Sequence, residues 1–157
     1  MIKLNELFDN IFNKYYKDVF RLTYSYTLNK SDSEDITQKV FTKLYENINK
    51  FKSDDDNVKK WLFKIASNEY KNFRKSYWIK NIIKNDELLN VNCFSMDNDL
   101  LKCLMDISFK YRIPLYLYYY EGYSIKEISL LLNKTENCIK QRLKRGKEVL
   151  RREIGDE

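Results

Sequence analysis

The sequence predicts an all-α chain: two small helical domains joined by a linker, the C-terminal one a helix-turn-helix. Three observations predict it. Glycine and proline together number four in 157 residues, so the punctuation that separates short strands is nearly absent. Apolar residues recur at three- and four-residue spacing rather than at two. The stretch Gly122 to Leu150, GYSIKEISLLLNKTENCIKQRLKRGKEVL, contains two helix starts, a short turn and a basic second helix.

The first helix is expected over Leu4 to Leu28. Leu7, Phe8, Ile11, Phe12, Tyr15, Val19, Phe20 and Leu22 or Thr23 form its apolar stripe. Asn29 and Lys30 break it, and Ser31 with Glu34 reads as a capping box for the next helix. Ile36, Val40, Phe41, Leu44 and Ile48 supply that helix's buried side, with Asp35 and Lys39 one turn apart on its surface. Lys52 to Asn57 is polar and acidic and reads as a loop. A third helix is expected from about Val58, buried through Trp61, Leu62, Ile65, Ala66, Tyr70 and Phe73. Lys60, Lys64, Lys71, Arg74 and Lys75 occupy its other face. The periodicity weakens over 85–98, the best linker candidate, leaving domains at 1–84 and 99–157.

In the second domain Leu100, Leu101, Leu104 and Met105 suggest one helix, and Tyr111 to Glu121 another. Pro114 has no amide hydrogen and suits a first turn, so this helix is expected to begin late or to bend. Glu121-Gly122 ends it. Ser124 with Glu127 is a capping box opening Ile125 to Leu132. Asn133-Lys134 makes the turn, and Thr135 caps a final helix whose stripe is Ile139, Leu143 and Leu150. Gly146 weakens that helix unless it allows close packing.

Net charge is +6, which favours a polyanionic partner. Its distribution says more. Lys59 to Lys84 holds eight basic residues and one acid, and Lys126 to Glu153 nine and four. Ser31 to Asn57 reverses the balance, with seven acids and four lysines. Asp86 to Asp106, between the two basic zones, is also acidic, with five acids and one lysine, and basic zones set apart in this way imply two contact sites. Histidine is absent, and Cys93, Cys103 and Cys138 have no paired metal spacing, so no metal, no cofactor and no enzymatic chemistry are expected. No signal-peptide pattern and no apolar run near about 18 residues is present, which reads as a cytoplasmic chain.

A helix fits the major groove, and its N-terminal residues approach base edges. Glu136, Asn137, Lys140 and Gln141 are the expected readers. Arg142, Lys144 and Arg145 are expected on phosphates, giving affinity without sequence information. Thr135 brings the amide end of its helix toward a phosphate. In the first domain Trp61, Phe73, Tyr77 and Trp78 sit among lysines. Exposed aromatics stack on unpaired bases, yet Trp61 and Phe73 share a stripe with Ile65 and Ala66 and read as core, while Tyr77 and Trp78 stay open to either reading. The acidic helix from Asp32 to Ile48 suits a protein partner with a basic surface.

These segments, in this order, resemble an alternative sigma factor of the extracytoplasmic-function (ECF) group of the sigma-70 family. The group's first marker reads Asp-Ala-Glu-Asp-hydrophobic-x-Gln-x-Val-Phe; Ser31-Asp32-Ser33-Glu34-Asp35-Ile36-Thr37-Gln38-Lys39-Val40-Phe41 stands here. The second, Trp-Leu-x-x-Ile-Ala-x-Asn, is matched by Trp61-Leu62-Phe63-Lys64-Ile65-Ala66-Ser67-Asn68, then Asn72-Phe73-Arg74-Lys75. Tyr119 to Ser129 and Ile139 to Gly146 are similar to the C-terminal markers. The chain departs where Ile107-Ser108 precedes Tyr111-Arg112 in place of Leu-Pro, and where Asn72 replaces a common Asp.

The resemblance implies a sigma region 2-like domain that grips the clamp helices of the RNA polymerase largest subunit through Asp32, Glu34, Asp35, Gln38 and Lys39. It implies that Asp54, Asp55, Asp56 and Asn57, with Lys60, Lys64, Asn68, Lys71, Asn72, Arg74 and Lys75, address the melted non-template strand of the −10 element. A region 4-like domain would read the −35 duplex through Thr135, Glu136, Asn137, Lys140, Gln141, Arg142, Lys144 and Arg145, and touch the polymerase flap. An anti-sigma protein is a further implied partner. Two other readings fit the residues: an ordinary helix-turn-helix regulator that dimerises through its N-terminal helices, and a helical polymerase-binding adaptor.

Overall fold

A computed structural model of the chain describes residues 2–53, 56–81 and 99–155. The chain divides into two compact units, Met1–Asn92 and Cys93–Glu157. The expected linker, 85–98, lies outside the described residues. Every described regular element is helical.

The N-terminal unit packs α1 (Ile2–Thr27), α2 (Lys30–Asn47) and α3 (Asp56–Asn81) against one another, with a single 3₁₀ turn at Ile48–Lys50. On α1, Ile11, Tyr15, Val19, Leu22 and Tyr26 are buried at four- and three-residue steps, the period that keeps one helical face inward. Ile36, Val40 and Leu44 do the same for α2. Burying each such side chain contributes about 1.5–3 kcal/mol. On α3 the inward face is turned from the expected one. Val58, Leu62, Phe63, Ala66, Ser67 and Glu69 are buried, while Trp61, Ile65, Tyr70 and Phe73 are half-buried. Trp61 meets Phe51 edge-on at 5.3 Å.

The turn between α1 and α2 differs from the expected capping box. Leu28 takes a left-handed φ of 53° and reverses the chain at once. Asn29 therefore becomes the cap, and its side chain accepts from the Asp32 amide at 3.0 Å. Ser31 falls inside the first turn. Coming directly after that reversal, Asn29 takes the cap position ahead of Ser31. A seam of buried hydroxyls holds the two helices in register. Thr23 Oγ1 lies 2.9 Å from Thr37 Oγ1, and Thr27 Oγ1 lies 2.6 Å from Ser33 Oγ.

Two ion pairs tie α3 down. Lys59 lies 3.7 Å from Asp18 of α1, and Lys43 of α2 pairs with Glu69. Glu69 is buried and Lys43 half-exposed, so the pair shields a carboxylate that α3 turns inward. Lys43→Met removes the cation and leaves that carboxylate buried. The expected result is a loss of about 1–3 kcal/mol of unfolding free energy, read by denaturant titration. Lys43→Arg should restore most of it.

The C-terminal unit comprises α4 (Asp99–Met105), α5 (Phe109–Leu115), a π turn over Tyr116–Tyr120, α6 (Ile125–Leu132) and α7 (Glu136–Ile154). α5 begins earlier than Pro114 suggested and carries that proline, buried, in its interior. The helix then widens: the Glu121 amide reaches the Tyr116 carbonyl, five residues back, at 3.2 Å. Gly122, at φ 73°, ends it, and the Tyr123 amide closes onto the Leu117 carbonyl at 2.9 Å. That reversal needs a left-handed residue, for which glycine carries no steric cost. The expected capping box forms between Ser124 and Glu127, and Thr135 Oγ1 accepts from the Cys138 amide at 3.1 Å. Asn133, at φ 55°, makes the turn. Arg112 is buried under Phe109 and donates to the Ile107 carbonyl at 2.9 Å.

Candidate functional site

Three surfaces carry the expected site residues. The first lies on α1 and α2. Phe8, Phe12, Tyr16, Phe20 and Tyr24 follow one another at four-residue steps along α1, with ring centroids 5.1–6.4 Å apart. Phe41 packs edge-on against Phe12 at 4.9 Å, and Tyr45, 56% exposed, against Phe8 at 5.4 Å. Glu34, Asp35, Gln38 and Thr42 rise beside Phe8, Phe12, Tyr16, Phe41 and Tyr45, and together they line a groove of about 640 Å³. The structure thus brings Glu34, Asp35 and Gln38 to one groove. Asp32 and Lys39 are not among its lining residues. The groove's aromatic floor was missed as a site: Phe8, Phe12 and Phe41 read as core, and Tyr16 and Tyr45 fell between stripes. The signal was the unbroken four-residue aromatic repeat.

Burial and the neighbouring Asp35 carboxylate raise the Asp32 carboxyl above its ordinary value. Lys30 partly balances this end of α2 through an ion pair with Glu34 at 4.0 Å.

The second surface is the outer face of α3. Lys60, Lys64, Asn68, Lys71 and Lys75 follow at four-, four-, three- and four-residue steps, which places them on one stripe. Asn72 and Arg74 are exposed beside it, and Asp56 and Asn57 are exposed at the start of the helix. Asp54 and Asp55 lie outside the described residues. Partial burial and the like charge of Lys71 lower the Lys64 ammonium below its ordinary value. An anion laid along this stripe relieves that repulsion.

The third surface is α7. Ile139, Leu143 and Gly146 are buried. Asn137, Gln141 and Lys144 stand opposite them on the solvent face, with Lys140 and Arg145 to either side. Glu136 and Thr135 are exposed at its start. Arg142 differs from its basic neighbours: it is half-buried, and its Nε is shielded with no hydrogen-bond partner. Its stem belongs to the packing of the unit and only its tip is available to a phosphate.

Among the described residues, no group of three or more His, Cys, Asp or Glu could hold a metal ion. No described helix is long and apolar enough to cross a membrane.

An acidic aromatic groove and a basic helix stand in one unit, and a basic helix-turn-helix in the other. Residues 11–84 match the family model for sigma-70 region 2, and residues 97–150 that for sigma-70 region 4. The ECF RNA polymerase sigma factor SigW of Bacillus subtilis is 27% identical over 96% of this chain and 90% of its own length. SigM of the same organism is 28% identical over 91% and 92%. Among solved structures, the sigma factor RpoE of Bartonella quintana, in complex with the anti-sigma factor NepR, superposes with a TM-score of 0.72 at 21% identity, covering 94% of this chain and 96% of that one. CnrH, in complex with the cytosolic domain of CnrY, gives 0.62 at 17% identity, covering 94% and 86%. The chain belongs to the sigma-70 family, in its ECF group. It is a sigma factor, and it directs RNA polymerase to promoters through regions 2 and 4.

Proposed function

We propose that the groove between α1 and α2 is the seat for the clamp helices of the polymerase largest subunit. Residues 1–84 then form the polymerase and −10 domain, 85–98 the linker, and 99–157 the −35 domain. The observation that carries this reading is the groove itself. It sets the carboxylates of Glu34 and Asp35 and the amide of Gln38 over aromatic rings. Carboxylates beside rings suit a basic helix, since each charge-assisted hydrogen bond gains from an apolar surround. Asp32 and Lys39 flank the groove and would contact its rim.

The α3 stripe from Lys60 to Lys75 addresses the melted non-template strand of the −10 element, with Asp54, Asp55, Asp56 and Asn57 at its head. The outward face of α7 enters the −35 major groove. Asn137, Lys140 and Gln141 meet base edges there, with Glu136 beside them. Lys144, Arg145 and the tip of Arg142 meet phosphates, and Thr135 presents the helix start. The C-terminal unit also touches the polymerase flap. Linked contacts raise the effective concentration of the second after the first forms, so element spacing becomes part of specificity. RpoE is solved in complex with the anti-sigma factor NepR, and CnrH with the cytosolic domain of CnrY; an anti-sigma protein that covers the same groove is the corresponding partner here. The chain works in the cytoplasm, on the nucleoid when bound to polymerase.

Transcription from a randomised promoter library with purified core polymerase tests the reading. Start sites should emerge with paired upstream elements at fixed spacing. Unpaired or palindromic selections, independent of core enzyme, would favour a dimeric regulator instead. A second measurement separates readers from phosphate contacts. Lys144→Gln should weaken −35 duplex binding about equally for all sequences and reduce the salt slope by about one. Gln141→Ala should relax preference at one base pair, by about 1–3 kcal/mol, and leave the slope unchanged.

A further inference from the structure

The side of α1 remote from the groove carries charges of its own. Lys14, Lys17 and Arg21 recur at three- and four-residue steps, which sets them on one stripe. Lys14 stands two residues, about 200° of turn, from both Phe12 and Tyr16 of the groove. Lys14 and Lys17 are exposed, and Arg21 is half-buried. Asp18, within the same two turns, reaches toward α3: its carboxylate lies 3.2 Å from Arg21 and 3.7 Å from Lys59. One carboxylate thus joins the α1 stripe to the first turns of α3. Lys60 follows Lys59 there and opens the basic stripe that runs to Lys75. Four cations around a single acid leave this face with a net of three positive charges. Glu6 and Asp9, the other acids of α1, precede the stripe by more than one turn. Like charges at three- and four-residue spacing repel and weaken a helix, so folding alone does not reward this stripe.

We propose that Lys14, Lys17 and Arg21 hold phosphates of the opened promoter strand where it runs on past the −10 element. The inference rests on the −10 reading of α3 and carries the strand onto a second helix. Charge and continuity select the occupant. The stripe is cationic, and the Arg21–Asp18–Lys59 contact makes it continuous with the α3 stripe. A duplex is stiff over far more than the width of this unit, whereas the backbone of a single strand can be tracked by a basic groove from one helix to its neighbour. The stripe offers cations and no exposed ring: Tyr15, beneath Lys14 at 5.1 Å, is buried. It therefore grips phosphates and does not stack on bases. Contacts of that kind add affinity and fix the path of the strand without reading its sequence. Base choice stays with α3, and α1 holds the flank that the melted element leads into.

The test uses the full chain in holoenzyme with core polymerase. The probes are labelled non-template strands that carry the selected −10 element alone, or the same element lengthened on its 5′ or its 3′ side. Wild type should bind one of the lengthened strands several-fold more tightly than the bare element. The double variant Lys14→Gln, Lys17→Gln should lose that gain. The slope of log affinity against log salt on the lengthened strand should fall with it by about 1.4, since each phosphate contact on a single strand accounts for about 0.7. Binding of the bare element, thermal unfolding and core-polymerase affinity should match wild type, and Lys17→Arg should keep the gain. If wild type shows no gain on either side, or the double variant keeps it, the proposal is overturned; the −10 reading still stands where Lys64→Gln and Lys71→Gln weaken binding of the bare element. If those two variants bind the bare element normally, the −10 reading fails and the proposal with it. A double variant that loses core-polymerase affinity without DNA shows that the stripe meets protein. One that weakens binding only when the flank is duplex assigns the stripe to closed DNA. Either result overturns the proposal.

Discussion

Gly146→Leu is expected to abolish −35 duplex binding by unfolding the C-terminal unit, with the N-terminal unit intact. The cause is the approach of α7 to α5. A Cβ added at Gly146 would lie 2.9 Å from Leu115 Cδ1, 3.2 Å from Leu115 Cγ and 3.2 Å from Tyr111 Cβ. Leu115 is buried and cannot swing into solvent. Replacing glycine within a helix gains up to about 1 kcal/mol in propensity, but overpacking costs about 1–3 kcal/mol, and more for several added carbons. A unit of this size has only a few kcal/mol of stability to lose. Gly146→Ala should show the same sign with a smaller effect. Hydrogen exchange read separately for the two units checks the prediction: protection should fall across α5 to α7 and persist across α1 to α3. Wild-type protection in Gly146→Leu would mean that the helices can part without cost.

The same glycine shows what the sequence could reveal. Its position inside a helical stripe signalled either weakness or close packing, and only the neighbouring helix decides which. Local chemistry was legible wherever one residue fixes the geometry. Ser124, Thr135 and the left-handed pair Gly122 and Asn133 stand where their types predicted. It was not legible where the backbone departs from what a residue type advertises. Asn29 displaced Ser31 as cap because Leu28 reverses the chain, a conformation that a leucine does not advertise. Pro114 signals a late start or a bend; it lies inside α5, and a widened π turn follows it. On α3, hydrophobicity alone put Trp61 and Ile65 inward; the ion pair that draws Glu69 inside is a tertiary effect. The charged stripes of α2, α3 and α7 were legible as an order of charges along the chain. The aromatic groove floor was not, because a ring in a stripe looks the same whether a helix or a partner covers it.

The largest functional effect is expected at the α1–α2 groove. Asp35→Lys should weaken core-polymerase binding by several kcal/mol, since placing like charges across an interface carries that cost. Asp32→Asn separates function from stability. The fold raises the Asp32 carboxyl above its ordinary value, by burial first and by Asp35 second. A raised carboxyl means that the folded state holds the proton more tightly than the unfolded chain. Its contribution to stability is therefore present below the unfolded value and lost as pH rises through the folded one. At neutral pH the charged pair is a burden that the fold carries. Asp32→Asn should then match or exceed wild-type stability at neutral pH. The difference should vanish as pH falls below the ordinary carboxylate range, where both side chains are neutral. Denaturant titrations at several pH values read this directly. Core-polymerase affinity of the same variant should fall, because a rim carboxylate facing a basic helix is lost. A variant that gains stability and loses its partner identifies a charge retained for binding, whereas one that keeps both leaves Asp35 as the group that the groove depends on.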